Sequence, residues 1–408
     1  MKSMGIDTIV NFPFPTAPDR PSLQKSEKVS LLFLVTRVDL ILGLTRQQLL
    51  QYLGALDPRG TLTELGRIMN FFPLPPRLSK ILAIGHQHGC LPYIVAIVAA
   101  LSVGDVFILE HQLDIYGEAD DGGALGNTET ALEDTQRAKR RKEYSRAHRA
   151  FSSLDPTSDV LKLLSAVCAF MYEKSPVDFC ERNFLRLKSI RETHKFRQQI
   201  SKIVKTNYPD LLESFNPKIP PPSTVQVKAL KQIVAAGFID QVAIRADLLP
   251  NSPYKFSKNR AKRVTEVPYM TLFTSSTFQR SADGDAPLDP AVYIHPSSIL
   301  ASQSSYPEYL VYNELKKSAS STGKVWMKPL TPVAGAHLAT LAKGTPLITY
   351  SKPLGSVPPK VLEGSMGRRR ECWVIPRIGG AIGRSEVGWE LPARKVVQKK
   401  EEGNWVVE

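Results

Sequence analysis

The chain is short of the residues that would announce an enzyme, a secreted scaffold or a membrane protein. Its 408 residues hold four cysteines, Cys90, Cys168, Cys180 and Cys372. None forms a C-x-x-C pair, so no zinc ribbon is offered, and the wide spacing suits a reducing compartment. No run of about 18 uncharged apolar residues appears, so no segment is read as a membrane span. The start, "MKSMGIDTIVNF", lacks the apolar core of a signal peptide. A G-x-x-x-x-G-K-[ST] phosphate loop is missing, because in "SSTGKVW" Val325 follows the Gly-Lys where a magnesium-binding hydroxyl is required. No acidic metal-binding box or Ser-His-Asp arrangement can be argued. His86, His88 and Cys90 in "GHQHGC" are badly spaced for one helix face and have no fourth ligand, so a helix break with a buried Cys90 is the simpler reading.

Acidic residues are also scarce. Lys and Arg number 53 against 39 Asp and Glu, a net charge of +14. Such a surface attracts polyanions over roughly a Debye length, and nucleic acid is the commonest such partner. A basic protein with no such ligand is the bland alternative.

The pattern present is helical first and β-rich afterwards. "LGALDPRGTLTELGRIMNFFPLPPRLSK" (53–80) reads as helix end, turn, helix and proline stop. Asp57-Pro58-Arg59-Gly60 has the residues of a tight turn. Thr61 and Glu64 fit a capping box, and Leu65, Ile68, Met69 and Phe72 recur at helical spacing. The result is a winged-helix-like unit. Residues 78–106 predict two packed helices broken at Gly89 and Pro92. A polar segment then runs acidic and glycine-bearing before turning basic from Arg137 to Arg149. It is read as an exposed insertion, disordered in its first half, whose basic half is a solvated helix face or, as the alternative, an RNA contact.

Residues 159–205 are helical again. The last of these helices carries Arg186, Lys188, Arg191, Lys195, Arg197, Lys202 and Lys205 opposite Leu187, Ile190, Phe196, Ile200 and Ile203. One buried and one cationic face would suit a groove that tracks phosphates; an ordinary solvated face accounts for the same residues. "NPKIPPPS" is a rigid linker to one more helix, with Gly237 as its stop. Beyond it, "QVAIRADL", "YMTLFT", "AVYIHPSSIL", "YLVYNELK", "VWMKPLTPV" and "TPLITYSKPL" are short strands separated by turn residues, the makings of a small barrel of the OB type. "GRRRECWVIPRIGG", "VGWELPARKVVQ" and "GNWVVE" read as further strands closing on that barrel.

The order winged-helix-like unit, helical bundle, OB-like barrel resembles the C-terminal half of the DEAH-box RNA helicases. The resemblance is carried by the 53–80 stretch, "GCLPYIVAIVAALSV", "VCAFMYEKSPVDFCERNFLRLKSIRETHKFRQQI", "KALKQIVAAGFIDQVAIR", "AVYIHPSSIL" and "PEYLVYNEL". "KALKQIVAAGFIDQVAIR" and the extra tail look most like the ribosome-biogenesis branch, which acts in the nucleolus on the small-subunit precursor. The resemblance implies a multidomain α+β chain: a winged-helix domain (1–82) with an unusual insert (29–46), a ratchet-like helical bundle (83–235) with an exposed insertion near 115–155, an OB-fold domain (236–355) and a C-terminal β extension (356–408).

It also implies an RNA-binding accessory module of a motor whose ATP and magnesium sit in two RecA-like domains outside this chain. The chain alone, without phosphate loop or DEAH box, would then be inactive and hold no cofactor. Implied partners are single-stranded RNA, from pre-ribosomal RNA or a small nucleolar RNA, the RecA-like domains and a protein activator, in the nucleus and nucleolus and without a membrane. The alternative is a protein-interaction scaffold that docks an activator without touching RNA. Candidate RNA contacts are Lys188, Arg191 and Lys195 on the bundle helix and His295, Ser297, Ser298 and Lys352 on barrel loops. For "HPSS", turn capping is the competing role. Met1 falls inside a family motif, which points to a truncated gene, and Val29–Arg46 interrupts the family pattern as a translated intron would.

Overall fold

A computed structural model describes residues 46–113, 128–208, 218–249, 263–273, 291–304, 306–318, 324–362, 368–379, 388–401 and 403–408. The interrupting segment at 29–45 and the acidic first part of the insertion at 114–127 lie outside the described residues.

The first unit comprises α1 (Arg46–Tyr52), α2 (Glu64–Met69) and α3 (Pro76–Gln87). The turn between α1 and α2 closes as its residues suggest, with the Gly60 amide donating to the Asp57 carbonyl at 2.9 Å and Gly60 at φ +82°. The cap differs from expectation. Thr61 donates its hydroxyl to Asp57 Oδ2 at 2.5 Å, and its amide bonds Asp57 Oδ1. Thr61 is thereby committed to the turn, and the helix starts two residues later, with Thr63 Oγ1 accepting from the Gly66 amide at 3.0 Å.

The bundle forms around α4 (Leu91–Val103). This helix carries no charge, and Ile94 through Ala100 have no exposed surface, as expected of a helix that is apolar all round. Around it pack α3, α6 (Asp159–Phe170) and α8 (Leu187–Asn207). The short α7 (Pro176–Arg182) leads into α8. The basic half of the insertion is a long helix, α5 (Thr128–Phe151). Its C-terminal part joins a core: Tyr144 and Ala147 meet Leu113 and Phe184, and Phe151 meets Phe107 and Phe179.

The linker helix α9 (Thr224–Gly237) starts in a capping box of Ser223 and Gln226. Gly237 is its last residue, but not for backbone freedom. A Cβ there would lie 2.2 Å from Ile81 Cγ1 and 3.0 Å from the Arg77 carbonyl, so the glycine lets α9 and α3 touch.

Five strands then close a barrel in the order β1 (Val242–Arg245), β2 (Tyr269–Thr271), β3 (Val292–Ile294), β5 (Val325–Val333), β4 (Tyr309–Lys317). The β3–β5 pair is parallel and the others antiparallel. The chain continues through α10 (Gly335–Leu341). The remaining strands do not add to the barrel, contrary to expectation. β6 (Ile348–Tyr350), β9 (Pro376–Ile378) and β10 (Trp389–Glu390) make one sheet. β7 (Lys360–Val361), β8 (Arg369–Val374), β11 (Arg394–Glu401) and β12 (Asn404–Val407) make another. The physical reason is closure: β4 pairs with β1, leaving the barrel no open edge for another strand.

Candidate nucleic-acid interface

The N-terminus of α6 is plugged into the barrel. Asp159, with 8% of its surface exposed, accepts from Ser298 Oγ at 2.7 Å, the Ile299 amide at 2.8 Å and the Leu330 amide at 2.9 Å. Burial raises its pKa, and these three bonds with the charge of Lys162 act in the opposite direction. Beside it, Ser158 Oγ lies 3.0 Å from Thr331 Oγ1, and Gln303 Nε2 donates to the Pro156 carbonyl at 2.8 Å. The 295–303 corner is therefore held rigidly against the bundle.

Between that corner and α5 runs a groove of about 760 Å³. One wall is Tyr144, Ser145, His148 and Arg149 of α5 with Ser152 just beyond its end; the other is the 295–299 corner with Trp326, and Lys162 lies between. On the barrel side the rings form a cluster. Trp326 meets Tyr293 edge-on at 6.2 Å and His295 at 6.1 Å. The cluster follows from register, since β3 and β5 pair Tyr293 directly with Trp326. Lys324 Nζ lies 4.9 Å from the Tyr293 ring centre and 5.8 Å from that of Trp326. A partly exposed indole beside a lysine, on the edge of a basic groove, supplies the two elements that hold single strands: a face on which a base stacks and a charge for its phosphate.

Lys162 in the groove floor is 7% exposed, and its Nζ lies 2.9 Å from His148 Nδ1 and 4.6 Å from the centre of the Phe107 ring. Burial pulls its pKa down to about 8, against the support of Asp159. Burial, then the neighbouring Lys162 charge, pulls His148 down to about 3. At neutral pH the pair is thus a lysine ammonium donating to a neutral imidazole. Beneath lies a smaller cavity of about 110 Å³ that shares Tyr144, His148, Lys162 and Ser297 with the groove. Its far side is the bundle-to-barrel ion pair of Asp105 with Lys328, 2.5 Å. Burial acts to raise Asp105, but the hydrogen bond and charge of Lys328, with Lys316 and Arg186, hold it below the ordinary carboxylate value.

The sequence-derived candidates separate. His295, Ser297 and Ser298 all line the groove. His295 Nδ1 accepts from the Ser297 amide at 3.1 Å and lies 2.7 Å from Ser297 Oγ. Ser298 is buried, and its hydroxyl donates to Asp159 while accepting from the Leu300 amide at 3.2 Å. Ser298 thus has the capping role weighed for "HPSS", while at Ser297 the His295 ring accepts from the backbone amide. Lys188, Arg191 and Lys195 are exposed along one face of α8, and Lys352 is exposed on a loop after β6, but none of the four lines this groove or the cavity beneath it. Arg197, counted on the cationic face, is 6% exposed and belongs to the packed side of α8. Trp326, Tyr293 and Lys324 were missed. The signal was present in "KVWMK", where a tryptophan alternates with inward residues beside a lysine. The candidate metal residues are dispersed: His86 stacks on Tyr208 at 4.0 Å, His88 is exposed and Cys90 is buried.

Comparison with known proteins matches three parts of the chain. Residues 47–74 match the winged-helix part of the helicase associated domain (HA2), 75–163 its ratchet-like part, and 230–345 the oligonucleotide/oligosaccharide-binding (OB) fold. An ATP-dependent RNA helicase of Schizosaccharomyces pombe is 38% identical over 414 residues, which is all of this chain and 30% of that protein. The probable ATP-dependent RNA helicase DHR1 of Saccharomyces cerevisiae is 38% identical over 426 residues, again all of this chain and 31% of that protein. The probable ATP-dependent RNA helicase DHX37 of Homo sapiens is 30% identical, over 97% of this chain and 30% of that protein. The chain therefore spans under a third of the length of these relatives. With its winged-helix, ratchet-like and OB-fold parts in that order, the chain carries the helicase associated (HA2) and OB-fold domains and resembles that portion of the DEAH-box ATP-dependent RNA helicases.

Proposed function

We propose that the chain is the RNA-gripping accessory module of an ATP-dependent DEAH-box RNA helicase, serving pre-ribosomal RNA processing and small-subunit assembly in the nucleolus. ATP and magnesium would be bound by RecA-like domains outside this chain. The observation that carries the reading is the groove between α5 and the barrel, with Trp326 in one wall, flanked by Tyr293 and Lys324, Arg149 in the other and Lys162 in the floor. A strand lying there stacks a base on Trp326 and lays its phosphates toward the cations of α5. Lys188, Arg191, Lys195 and Lys352 serve as outlying phosphate contacts. The link to ribosome assembly rests on likeness to DHR1 and DHX37.

The test is titration of the chain with fluorescently labelled single-stranded RNA. Base stacking on an aromatic side chain is worth about 1–3 kcal/mol, so Trp326→Ala weakens binding roughly ten- to hundredfold, whereas Trp326→Phe retains most of it. Equal affinity for wild type and Trp326→Ala would remove the groove as the binding site.

One observation favours a second role in protein docking. On the outer face of the C-terminal sheet, cations are matched by acids: Arg369 with Glu408, Lys395 with Glu371 at 2.7 Å and Lys399 with Glu401 at 3.3 Å. Trp373 and Val406 are exposed on the same face. A charge-balanced surface with apolar side chains suits a protein activator better than a phosphate chain.

A further inference from the structure

The far side of α5 faces away from the bundle, and the groove uses it only at its Arg149 end. Tyr144, Ala147, His148 and Phe151 point inward. Around the opposite side, at successive helical spacings of three, four and three residues, come Lys139, Lys142, Arg146 and Arg149. All four are exposed, and no carboxylate among the described residues pairs with any of them. They span about 15 Å of helix axis, at 1.5 Å per residue. A trough of about 640 Å³ runs beside Lys142, Ser145, Arg146 and Arg149.

We infer that this stripe is a docking surface for double-stranded RNA, held where the duplex meets the single-strand groove. Three features select that ligand. First, the stripe has four cations, and the only acid within it, Glu143, lies at its margin, so it takes a polyanion. Second, it offers no ring on which a base could stack, because Tyr144 on this stretch is turned inward with its hydroxyl on the Ile108 carbonyl. A single strand is held through its bases as well as its phosphates, whereas A-form duplexes are recognised by shape and backbone contacts. Third, it lacks the apolar face that an interfacial membrane helix needs, since the apolar side of α5 is already packed. Arg149 lies on the boundary, lining both the groove and the trough, so a strand leaving the groove reaches the stripe directly.

The inference rests on the reading that the groove holds single-stranded RNA, and the test separates the two. The full chain is titrated with a single-stranded RNA and with a hairpin carrying that same sequence as a tail, at several salt concentrations. The variant combines Lys139→Glu, Lys142→Glu and Arg146→Glu, leaves out the shared Arg149, and is checked for unchanged circular dichroism. Wild type binds the tailed hairpin more tightly than the tail alone. The variant loses that advantage, its salt slope on the hairpin falls by about 2.7 for three lost duplex phosphates, and its affinity for the tail is unchanged. Trp326→Ala weakens both RNAs alike and reports on the groove separately. An unchanged hairpin advantage in the triple variant overturns the inference. So does an equal loss on the tail alone, which would make the stripe part of the single-strand path. So does binding of polyglutamate, but not of the hairpin, which would make it a protein dock.

Discussion

Arg77 and Asp240, 163 residues apart in the chain, form a forked ion pair almost free of solvent, with Arg77 Nη2 2.6 Å from Asp240 Oδ2 and Nε 3.1 Å from Oδ1. The pair ties α3 to the junction of α9 and β1. Lys80, one turn further along α3, is 4% exposed; burial lowers its pKa to about 8, while Asp240 acts to raise it. One carboxylate therefore serves two buried cations.

Removing that carboxylate strands both of them. Breaking one side of a buried pair costs about 3–5 kcal/mol, mostly because the remaining charge is left uncompensated. Asp240→Asn is expected to lower the unfolding free energy by an amount in that range, and Asp240→Asn with Arg77→Met to recover part of the loss. Equilibrium denaturation of the two variants and wild type measures it. A double variant less stable than Asp240→Asn would contradict the stranded-charge account.

The groove floor makes stability depend on acid. His148 titrates near 3 in the fold, against 6.5 when free, so between those values the unfolded chain binds a proton that the folded chain does not. Its contribution is thus complete above pH 6.5 and declines as the pH falls from there toward 3. Lys162 acts at the other end: with its pKa lowered from 10.5 to about 8, the cost of burying its charge is relieved as the pH rises through that interval. His148→Gln retains an acceptor for Lys162 but cannot titrate. Urea midpoints measured from pH 7 down to pH 5 should fall less steeply for this variant than for wild type; parallel curves would place the acid sensitivity elsewhere.

Much of this organisation is legible in the residues. An uncharged run such as "LPYIVAIVAALSV" has nowhere to go but the centre of a bundle, and short apolar runs between turn residues announce a small barrel. Three kinds of information were less accessible, each for a physical reason. Competition between side chains is one: Asp57 claims Thr61 and shifts the cap to Thr63. Close approach is another: Gly237 looks like a helix stop, but it is the contact point with Ile81. The third is which distant segments share a wall. Helical periodicity puts Arg197 among cations, yet the bundle buries it, and nothing local to "KVWMK" says that Trp326 faces α5 across a groove.

The exposed row on α8 gives the last prediction. Lys188, Arg191 and Lys195 follow one another at spacings of three and four, so they form one ridge. They lie outside the groove walls, and whatever they do for RNA must be through phosphates, since no ring is exposed beside them: Phe196 packs against the core, and His194, less than half exposed, faces Phe170 at 6.4 Å. Phosphate contacts add affinity without choosing bases and appear in the salt dependence. Reversing Arg191→Glu and Lys195→Glu together should weaken single-stranded RNA binding at low salt for every base composition alike. Each lost single-strand contact reduces the slope of log affinity on log salt by about 0.7, so the pair reduces it by about 1.4. Trp326→Ala, acting through stacking, should leave the slope nearly unchanged while lowering the whole line. Anisotropy titrations at four or more salt concentrations, on wild type and both variants, separate the two kinds of contact, and an unaltered slope for the charge reversal would show that the RNA path does not cross α8.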